Sequence, residues 1–550
     1  MRARSSDTVV FTAAAVVYLV AGTVAAFDGV FFGDALSRVQ SAAAVLFSRT
    51  PALVDIGFVF TPLSTLLELP LVALTPWIPA MSDRALAGVI VSALFMAGAV
   101  LQVWRTGADR GLRTSLQVVL TVIFAVNPMV VLYGANGMSE APFLFAVAWA
   151  TRRLMRFSRT DDVHDLTAAG IAVALSFLAR YDGLVSAAVA GVFVGTVTYL
   201  RTRGDRRLAR AVTDVVVFTF PVGVAVLVWF GTSWLTTGTL SVQTSGVYGN
   251  AAILEASGAT GSGVPAATDS LVRILMLAPG LPVLVAVVAL LGHRRRSPEM
   301  WAPVAVLGAV LVFQLLTAVT GATFGLLRFF LVALLLATVL GMLVPDPVGE
   351  VVPRRPGLRP TARGDHPLTG HPVLAATGVV VLALTGTVTT AWGMTSRTYA
   401  PQEYALAAAT PLASGMDAKD LEDRRAVLRT WGTERRIAGY LDSRDLPEGS
   451  VLLDVAFGFP VVLFSRDPSV FTVPSDPDFV TSLDDLWNSG VRYVLTVPPE
   501  GRGAQDAVNL RYPTIWEDGA GVATLELDVP NDGVGQPDFR LYRVRENPRG

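Results

Sequence analysis

The chain has 550 residues, 52% of them hydrophobic and 16% charged, with a formal net charge of -1 and a mean hydropathy of +0.53. A soluble globular chain carries about a quarter charged residues, so this composition excludes an ordinary soluble enzyme and indicates a polytopic α-helical membrane protein, while the near-zero net charge leaves no footprint of nucleic-acid binding. With no cysteine in the chain, disulfides, zinc thiolate sites and iron–sulfur ligation are excluded.

Apolar runs of about 20 residues, each long enough to cross ~30 Å of hydrocarbon as a helix, recur over the first 394 residues. The first, 9–27, follows Arg2 and Arg4. A secretory signal is the alternative, but the run is long and no small-x-small cleavage site with a polar continuation follows it. Residues 27–32 stay apolar apart from Asp28, which favours a retained first helix. Further spans are expected at 57–76, 86–104, 115–133, 140–156, 166–180, 183–200, 212–235, 272–292, 301–319, 325–344 and 372–394. That makes roughly 11–13 transmembrane helices.

Orientation follows from the arginines, because short Arg-rich loops stay cytoplasmic. The clusters Arg105/Arg110/Arg113, Arg152/Arg153/Arg156/Arg159, Arg201/Arg203/Arg206/Arg207/Arg210, Arg294/Arg295/Arg296 and Arg354/Arg355/Arg359/Arg363 are separated by even numbers of spans. All five can lie inside, with the N-terminus and a linker at about 345–371. The segments FFGDALSR (31–38), GANGMSE (134–140), ARYDG (179–183), 236–270, TGATFG (320–325) and everything after residue 394 then lie outside. One conflict remains: two spans are counted between Asp34 outside and Arg105 inside, where parity needs one or three. The weakest crossing is FTPLSTLLELPL (60–71), whose Pro62, Pro70 and Glu68 suit a partial or re-entrant segment.

The chain therefore divides into a membrane part, 1–394, and an extracytoplasmic α/β domain, 395–550, the latter punctuated by PEGS (447–450), SDPD (475–478) and PNDG (530–533). Helices are expected at 429–444 and 478–490, and strands at 451–455, 461–464, 491–497, 522–527 and 539–544. Neither a GxGxxG nor a P-loop occurs there.

Four polar features stand at the outer membrane edge. Asp34, with Arg38 one turn on, could cap the helix that follows or act chemically. Ser139-Glu140 could cap the next helix or place a second carboxylate on the same face, where ionisable groups default to function. Arg180-Tyr181-Asp182 interrupts an apolar hairpin, either as a self-neutralising turn at Gly183 or as part of a site. Arg328 lies within a span, where it must snorkel or find a partner. Guanidinium groups suit a phosphate by planar bidentate donation, and a carboxylate suits removal of a hydroxyl proton. The set fits transfer of a group from a phospholipid-like donor.

With FFGDALSR, TPLSTLL (61–67), Ser139-Glu140, ARYDGL (179–184), GTSWLTTGTLS (231–241) and Arg328-Phe329 in this order and spacing, the chain resembles the GT-C superfamily of membrane glycosyltransferases. The likeness is to the bacterial branch similar to protein O-mannosyltransferases and to the aminoarabinose transferase that modifies lipid A; the C-terminal domain resembles those of some actinobacterial relatives. The resemblance implies a plasma-membrane enzyme that moves a sugar, with inversion, from a polyprenyl-phosphate donor to an acceptor hydroxyl on an extracytoplasmic glycan, lipid or protein. Carried over, Asp34 is the general base, Glu140 places the acceptor or the base, and Arg180 and Arg328 hold the donor phosphate. Arg38, Tyr181 and Asp182 would support them. Asp28 is the rival base. Asp34 is followed by Ala35, so no DE or DxD pair is available for a metal; divalent-metal dependence is doubtful and no cofactor is certain. A transporter or flippase of lipid-linked sugars, an envelope glycan ligase or polymerase, and a non-catalytic scaffold are the alternatives.

Overall fold

The computed structural model describes residues 2–246, 249–257, 261–295, 297–345 and 372–545. The expected linker at about 345–371, with its four arginines, lies almost wholly outside the described residues. In chain order the membrane part begins with α1 (Arg2–Phe27), α2 (Gly33–Phe47), α3 (Leu63–Val72), the single turn α4 (Ala80–Asp83) and α5 (Leu86–Asp109). It continues through α6 (Thr114–Ala125), α7 (Pro128–Ala135), α8 (Glu140–Thr160), α9 (Val163–Ala179), α10 (Gly183–Arg201) and α11 (Arg207–Thr237). Two short helices, α12 (Val242–Ser245) and α13 (Asn250–Ser257), precede α14 (Gly263–Leu277), α15 (Leu281–Arg295), α16 (Ala309–Thr320), α17 (Val332–Leu343) and α18 (Pro372–Gly393).

Among the described residues six helices are long and apolar enough to cross a membrane: α1, α5, α10, α11, the run Pro298–Thr320 that ends in α16, and α18. Two bent pairs, α6 with α7 at 60° and α14 with α15 at 80°, bring the number to eight if each is one span. The first bend has a local cause. Asn127 breaks the helix and accepts from the Met129 N–H at 3.1 Å, and Pro128 takes the first position of the next helix, where its missing donor costs nothing. The other expected spans fall on shorter helices, such as α9, or on α8, which is loaded with arginine in its second half. The ten residues of α3 reach only ~15 Å, half a membrane. The partial segment expected at 60–71 is α3, which leaves α5 as the one long apolar helix between Asp34 and Arg105.

Charge sorts the bundle into two ends. At one, the arginines of the expected inner loops meet acids: Arg105–Asp7 at 3.0 Å, Arg152–Asp109 at 2.7 Å, Arg153–Asp165 at 2.6 Å, Arg159–Glu299 at 2.8 Å and Arg201–Asp161 at 3.0 Å. The other end carries Asp34, Glu140, Arg180 and Arg328.

Without a solvent-driven hydrophobic term between helices in lipid, close approach of backbones supplies much of the packing. A Cβ on Gly170 of α9 would lie 2.3 Å from the Phe218 carbonyl oxygen of α11, whereas one on Gly223 would meet nothing within 4 Å. Gly170→Ala is therefore expected to destabilise the solubilised protein by about 1–3 kcal/mol, with Gly223→Ala near neutral. Thermal unfolding in detergent checks the pair, and equal melting of the two would refute the close-approach argument.

The C-terminal region holds α19 (Ala418–Leu428), α20 (Gly432–Asp442), β1 (Val451–Leu452), α21 (Val455–Phe464), β2 (Phe471–Thr472), α22 (Phe479–Asp484), β3 (Tyr493–Thr496), β4 (Ala523–Val529) and β5 (Phe539–Val544). The strands form one mixed sheet in the order β2-β1-β3-β5-β4, parallel across β2-β1-β3 and antiparallel across β3-β5-β4. One expectation is corrected: 461–464 is the end of α21 and not a strand. A short apolar run cannot by itself distinguish a buried strand from a buried helix; here Asp454 caps the helix by accepting from the Ala456 N–H at 2.7 Å. The outer neighbour of β1 is β2 instead, which the sequence reading did not mark.

This sheet region and the membrane part share a core through α2. Leu36, Val39, Ala42 and Ala43 belong to one buried apolar cluster with Ile437, Leu441, Val451, Val461 and Phe464. The grip extends to both ends of α2. Before its first turn, Trp431 Nε1 donates to the Phe31 carbonyl at 3.2 Å, and Arg435 donates to the Asp83 carbonyl at 2.8 Å while lying 4.0 Å from the Phe464 ring. Past its last turn, Arg49 donates to Asp478 at 2.9 Å and Thr50 to Asp476 at 2.6 Å. Trp431 is buried in this seam, and Trp431→Ala is expected to cost about 3–5 kcal/mol. The measurement is limited proteolysis of the full chain, where faster cutting between α18 and α20 is the expected result and an unchanged digest the contrary one.

Candidate active site

The helix α2 begins at Gly33 with Phe32 as its cap residue, and no side chain closes that cap. Asp34 is thus not a cap. Its carboxylate instead accepts from Arg328 Nη2 at 2.8 Å, across 294 residues of sequence. Arg328 sits in a 3-10 turn (Leu327–Phe330) leading into α17. Its side chain is 7% exposed, so it does not snorkel; it is paired internally.

From Arg328 the charges form a chain. Its Nε lies 3.7 Å from Glu140 Oε1, and that same oxygen accepts from Arg180 Nη1 at 2.8 Å. Arg180 in turn donates through Nε to Asp182 at 2.8 Å, and Asp182 accepts from Gln314 of α16 at 2.7 Å. The turn that aims Arg180 depends on a bare backbone, since a Cβ on Gly183 would fall 2.3 Å from the Phe177 nitrogen. Glu140 opens α8, but its neighbour Ser139 makes no side-chain cap; Ser139 Oγ accepts from Arg38 Nη2 at 3.3 Å. Arg38 also donates to the Asp34 carbonyl at 2.9 Å and lies 4.5 Å from the Phe60 ring.

The residues singled out from sequence are therefore brought together, with two exceptions. Tyr181 turns to α11, where its hydroxyl accepts from Trp229 Nε1 at 3.1 Å. Asp28 is exposed at the end of α1. Three further residues join the cluster unforeseen. Gln314 is one. The others are Tyr133 at the end of α7, whose hydroxyl donates to Glu403 Oε1 at 2.6 Å, and Glu403 itself, on the strap between α18 and the sheet region. Glu68 of α3 is also fully buried, with both carboxylate oxygens lacking a partner.

Exposure separates the acids. The Asp34 side chain keeps 36% of its surface open, against 3% for Glu140 and 9% for Asp182. Asp34 is the most open of these three carboxylates. Burial works to raise its carboxyl, but the Arg328, Arg38 and Arg180 guanidiniums outweigh burial and hold it below the ordinary range. Burial pushes the Glu403 carboxyl up, with the hydrogen bond from Tyr133 and the charge of Arg328 opposing that only in part. A small apolar crevice of about 30 Å³ lies among α6, α14, α15, α17 and α18, lined by Leu120, Phe124, Leu284, Leu334 and Leu382 and reaching Asn127. Tyr133 stands six residues further along α7, about 9 Å.

No family model matches the chain, and no curated protein matches it. Among solved structures it is similar to the S. cerevisiae protein O-mannosyltransferase Pmt1-Pmt2 complex bound to its sugar donor, at a TM-score of 0.34 and 15% identity over 45% of this chain and 35% of that one. It is also similar to the oligosaccharyltransferase AglB from Archaeoglobus fulgidus in complex with an inhibitory peptide and a dolichol-phosphate, at 0.41 and 13% over 90% and 70% of the two chains. The mycobacterial arabinofuranosyltransferase AftD gives 0.42 and 16% over 98% of this chain and 41% of that one.

Proposed function

We propose that this protein is a membrane glycosyltransferase of the GT-C type, moving a sugar with inversion from a polyprenyl-phosphate donor to an acceptor hydroxyl on an extracytoplasmic glycan, lipid or protein. The observation that carries the reading is the pairing of an accessible carboxylate, Asp34, with a buried guanidinium, Arg328, beside a second arginine, Arg180. A base and a phosphate-holding group are thereby side by side.

The reaction balances with these groups. The acceptor hydroxyl gives its proton to an Asp34 oxygen as its own oxygen forms a bond to the anomeric carbon. The bond from that carbon to the phosphate oxygen breaks on the opposite face, and the electron pair leaves with polyprenyl phosphate. Arg328 and Arg180 take up the phosphate charge by charge-assisted hydrogen bonds. Glu140, bonded to Arg180 and close to Arg328, sets the spacing of the two guanidiniums.

In the resting arrangement Arg328 restrains the base by pairing with it. An arriving phosphate competes for that guanidinium, and once Arg328 turns to it the burial of Asp34 raises its basicity. The ion-paired arginines at the other end of the bundle favour a cytoplasmic N-terminus in the plasma membrane and an outward-facing site.

The test is transfer by the purified protein in lipid, supplied with radiolabelled polyprenyl-phosphate sugars and an envelope acceptor fraction. Labelled product supports the reading. Exchange of donor across vesicles without any product would replace it with a transporter of lipid-linked sugars.

A further inference from the structure

Glu403 belongs to the strap that leaves α18, and its burial there is over-determined. Arg273 of α14 donates to the Tyr399 carbonyl at 3.2 Å and the Thr398 carbonyl at 3.4 Å. On the other side Arg424 of α19 donates to the Tyr404 carbonyl and lies 5.2 Å from the Tyr404 ring. Ala400, Tyr404, Ala405 and Ala407 of the strap are buried. Between these anchors Glu403 is 1% exposed. One oxygen is bonded by Tyr133, while the other, Oε2, is buried and without a partner.

A buried carboxylate oxygen left unbonded is costly, and this one is not isolated. Arg328 Nε and Glu140 Oε2 are likewise buried without hydrogen-bond partners, and Glu403 lies within electrostatic range of both residues. The guanidinium that holds Asp34 thus has an unsatisfied nitrogen of its own and two carboxylates with an unsatisfied oxygen within electrostatic range. Beside them stand aromatic rings, with Tyr133 and Phe32 at 6.1 Å between centroids. Unpaired acceptor oxygens suit the hydroxyls of a polyhydroxylated ring, which donate.

We propose that Glu403 is a specificity-determining residue that accepts a hydrogen bond through Oε2 from a hydroxyl of the transferred sugar, with Tyr133 as the positioning residue that fixes its carboxylate. This rests on the glycosyl-transfer reading of the site. The recognised group is a ring hydroxyl of the donor sugar and not its phosphate, which Arg180 and Arg328 serve. Sugar recognition would thereby draw on both the membrane part and the segment leading to the sheet region.

The experiment measures kcat/KM in lipid for polyprenyl-phosphate hexose and pentose donors and, for whichever sugar the wild type transfers, the full set of its monodeoxy donors. Glu403→Ala is expected to lose about 10²-fold or more with the parent donor. One deoxy donor is expected to be slow with wild type and to be slowed no further by the substitution, which marks the hydroxyl that Oε2 binds. Glu403→Gln keeps an oxygen to accept from Tyr133 and so preserves the fold, but it can place an amide donor where Oε2 accepts; a clear loss with the parent donor and unchanged melting are expected. Tyr133→Phe should lose less than Glu403→Ala and add nothing to it in the double variant. Equal losses with every deoxy donor, or a parent rate within threefold of wild type in both Glu403 variants, would overturn the assignment while leaving the transfer reading intact. Wild type that transfers no sugar from any donor would overturn both.

Discussion

Asp34→Asn is expected to lower kcat by about 10²–10⁴-fold, the range supplied by a positioned general base, with the donor KM unchanged or reduced. The substitution is nearly isosteric, and an asparagine oxygen can still accept from Arg328, so the fold should survive. The direction of KM is the discriminating part. If Asp34 only anchored Arg328, its loss would loosen the site and weaken donor binding. If it is the base, weakening its hold frees a guanidinium for the phosphate, and binding holds or tightens while the chemical step fails. Steady-state kinetics with a radiolabelled lipid donor separates the two, and undiminished transfer would remove Asp34 from the reaction.

The pH dependence follows with a definite sign. Asp34 must be ionised to take a proton, and in the free protein burial is outweighed by Arg328, Arg38 and Arg180, so its carboxyl titrates below the ordinary range. The acid limb of kcat/KM, which reports the free enzyme, should therefore lie below the usual aspartate value of about 3.9. If, as proposed, Arg328 turns to the donor phosphate, Asp34 loses the first of the charges that hold its carboxyl down. The acid limb of kcat should lie at higher pH than that of kcat/KM. Coincident limbs would mean that Arg328 stays on Asp34 throughout.

Arg328→Met should give the largest combined loss. It removes the cation between Asp34 and Glu140 and leaves a buried acidic cluster with one guanidinium fewer. Breaking a buried ion pair from one side costs about 3–5 kcal/mol, so a substantial drop in melting temperature in detergent is expected together with a large rise in donor KM. Arg328→Lys separates charge from geometry. An ammonium is a point charge without the planar fork, so it cannot reach Asp34 with one edge while lying beside Glu140 with another. It should recover part of the stability and little of the transfer. A lysine variant equal to wild type in donor binding would show that Arg328 acts as a generic positive charge.

Much of the site was legible in the sequence because its members are misfits there. A charged residue in or beside an apolar run is conspicuous, and Asp34, Glu140, Arg180 and Arg328 were all found that way. Geometry bears on the structural readings attached to them: Phe32 occupies the cap position before Asp34, Arg328 is paired and buried, and Asp182 neutralises Arg180 only in part, since Arg180 also holds Glu140. Tyr181 was placed in the set by its neighbours in sequence, yet a turn sends adjacent side chains in different directions and it faces α11. Glu403 gave no signal, because a glutamate in a polar stretch is ordinary until the stretch is found packed against α7 and α14. Tyr133 was hidden for the opposite reason, an aromatic residue within an apolar run being unremarkable.

By itself the sequence determined the polytopic helical class, the polar change of composition near residue 395 and the candidate residues, since hydropathy, charge and periodicity are local properties that a membrane reads directly. Only the tertiary structure decided that five charges up to 294 positions apart form one chain, and that Asp34 alone among its acids stays open. It also decided that α2 carries Asp34 on one side and the core of the sheet region on the other. Those are matters of which surfaces meet, and no local pattern encodes the partner of a side chain that the fold brings from elsewhere.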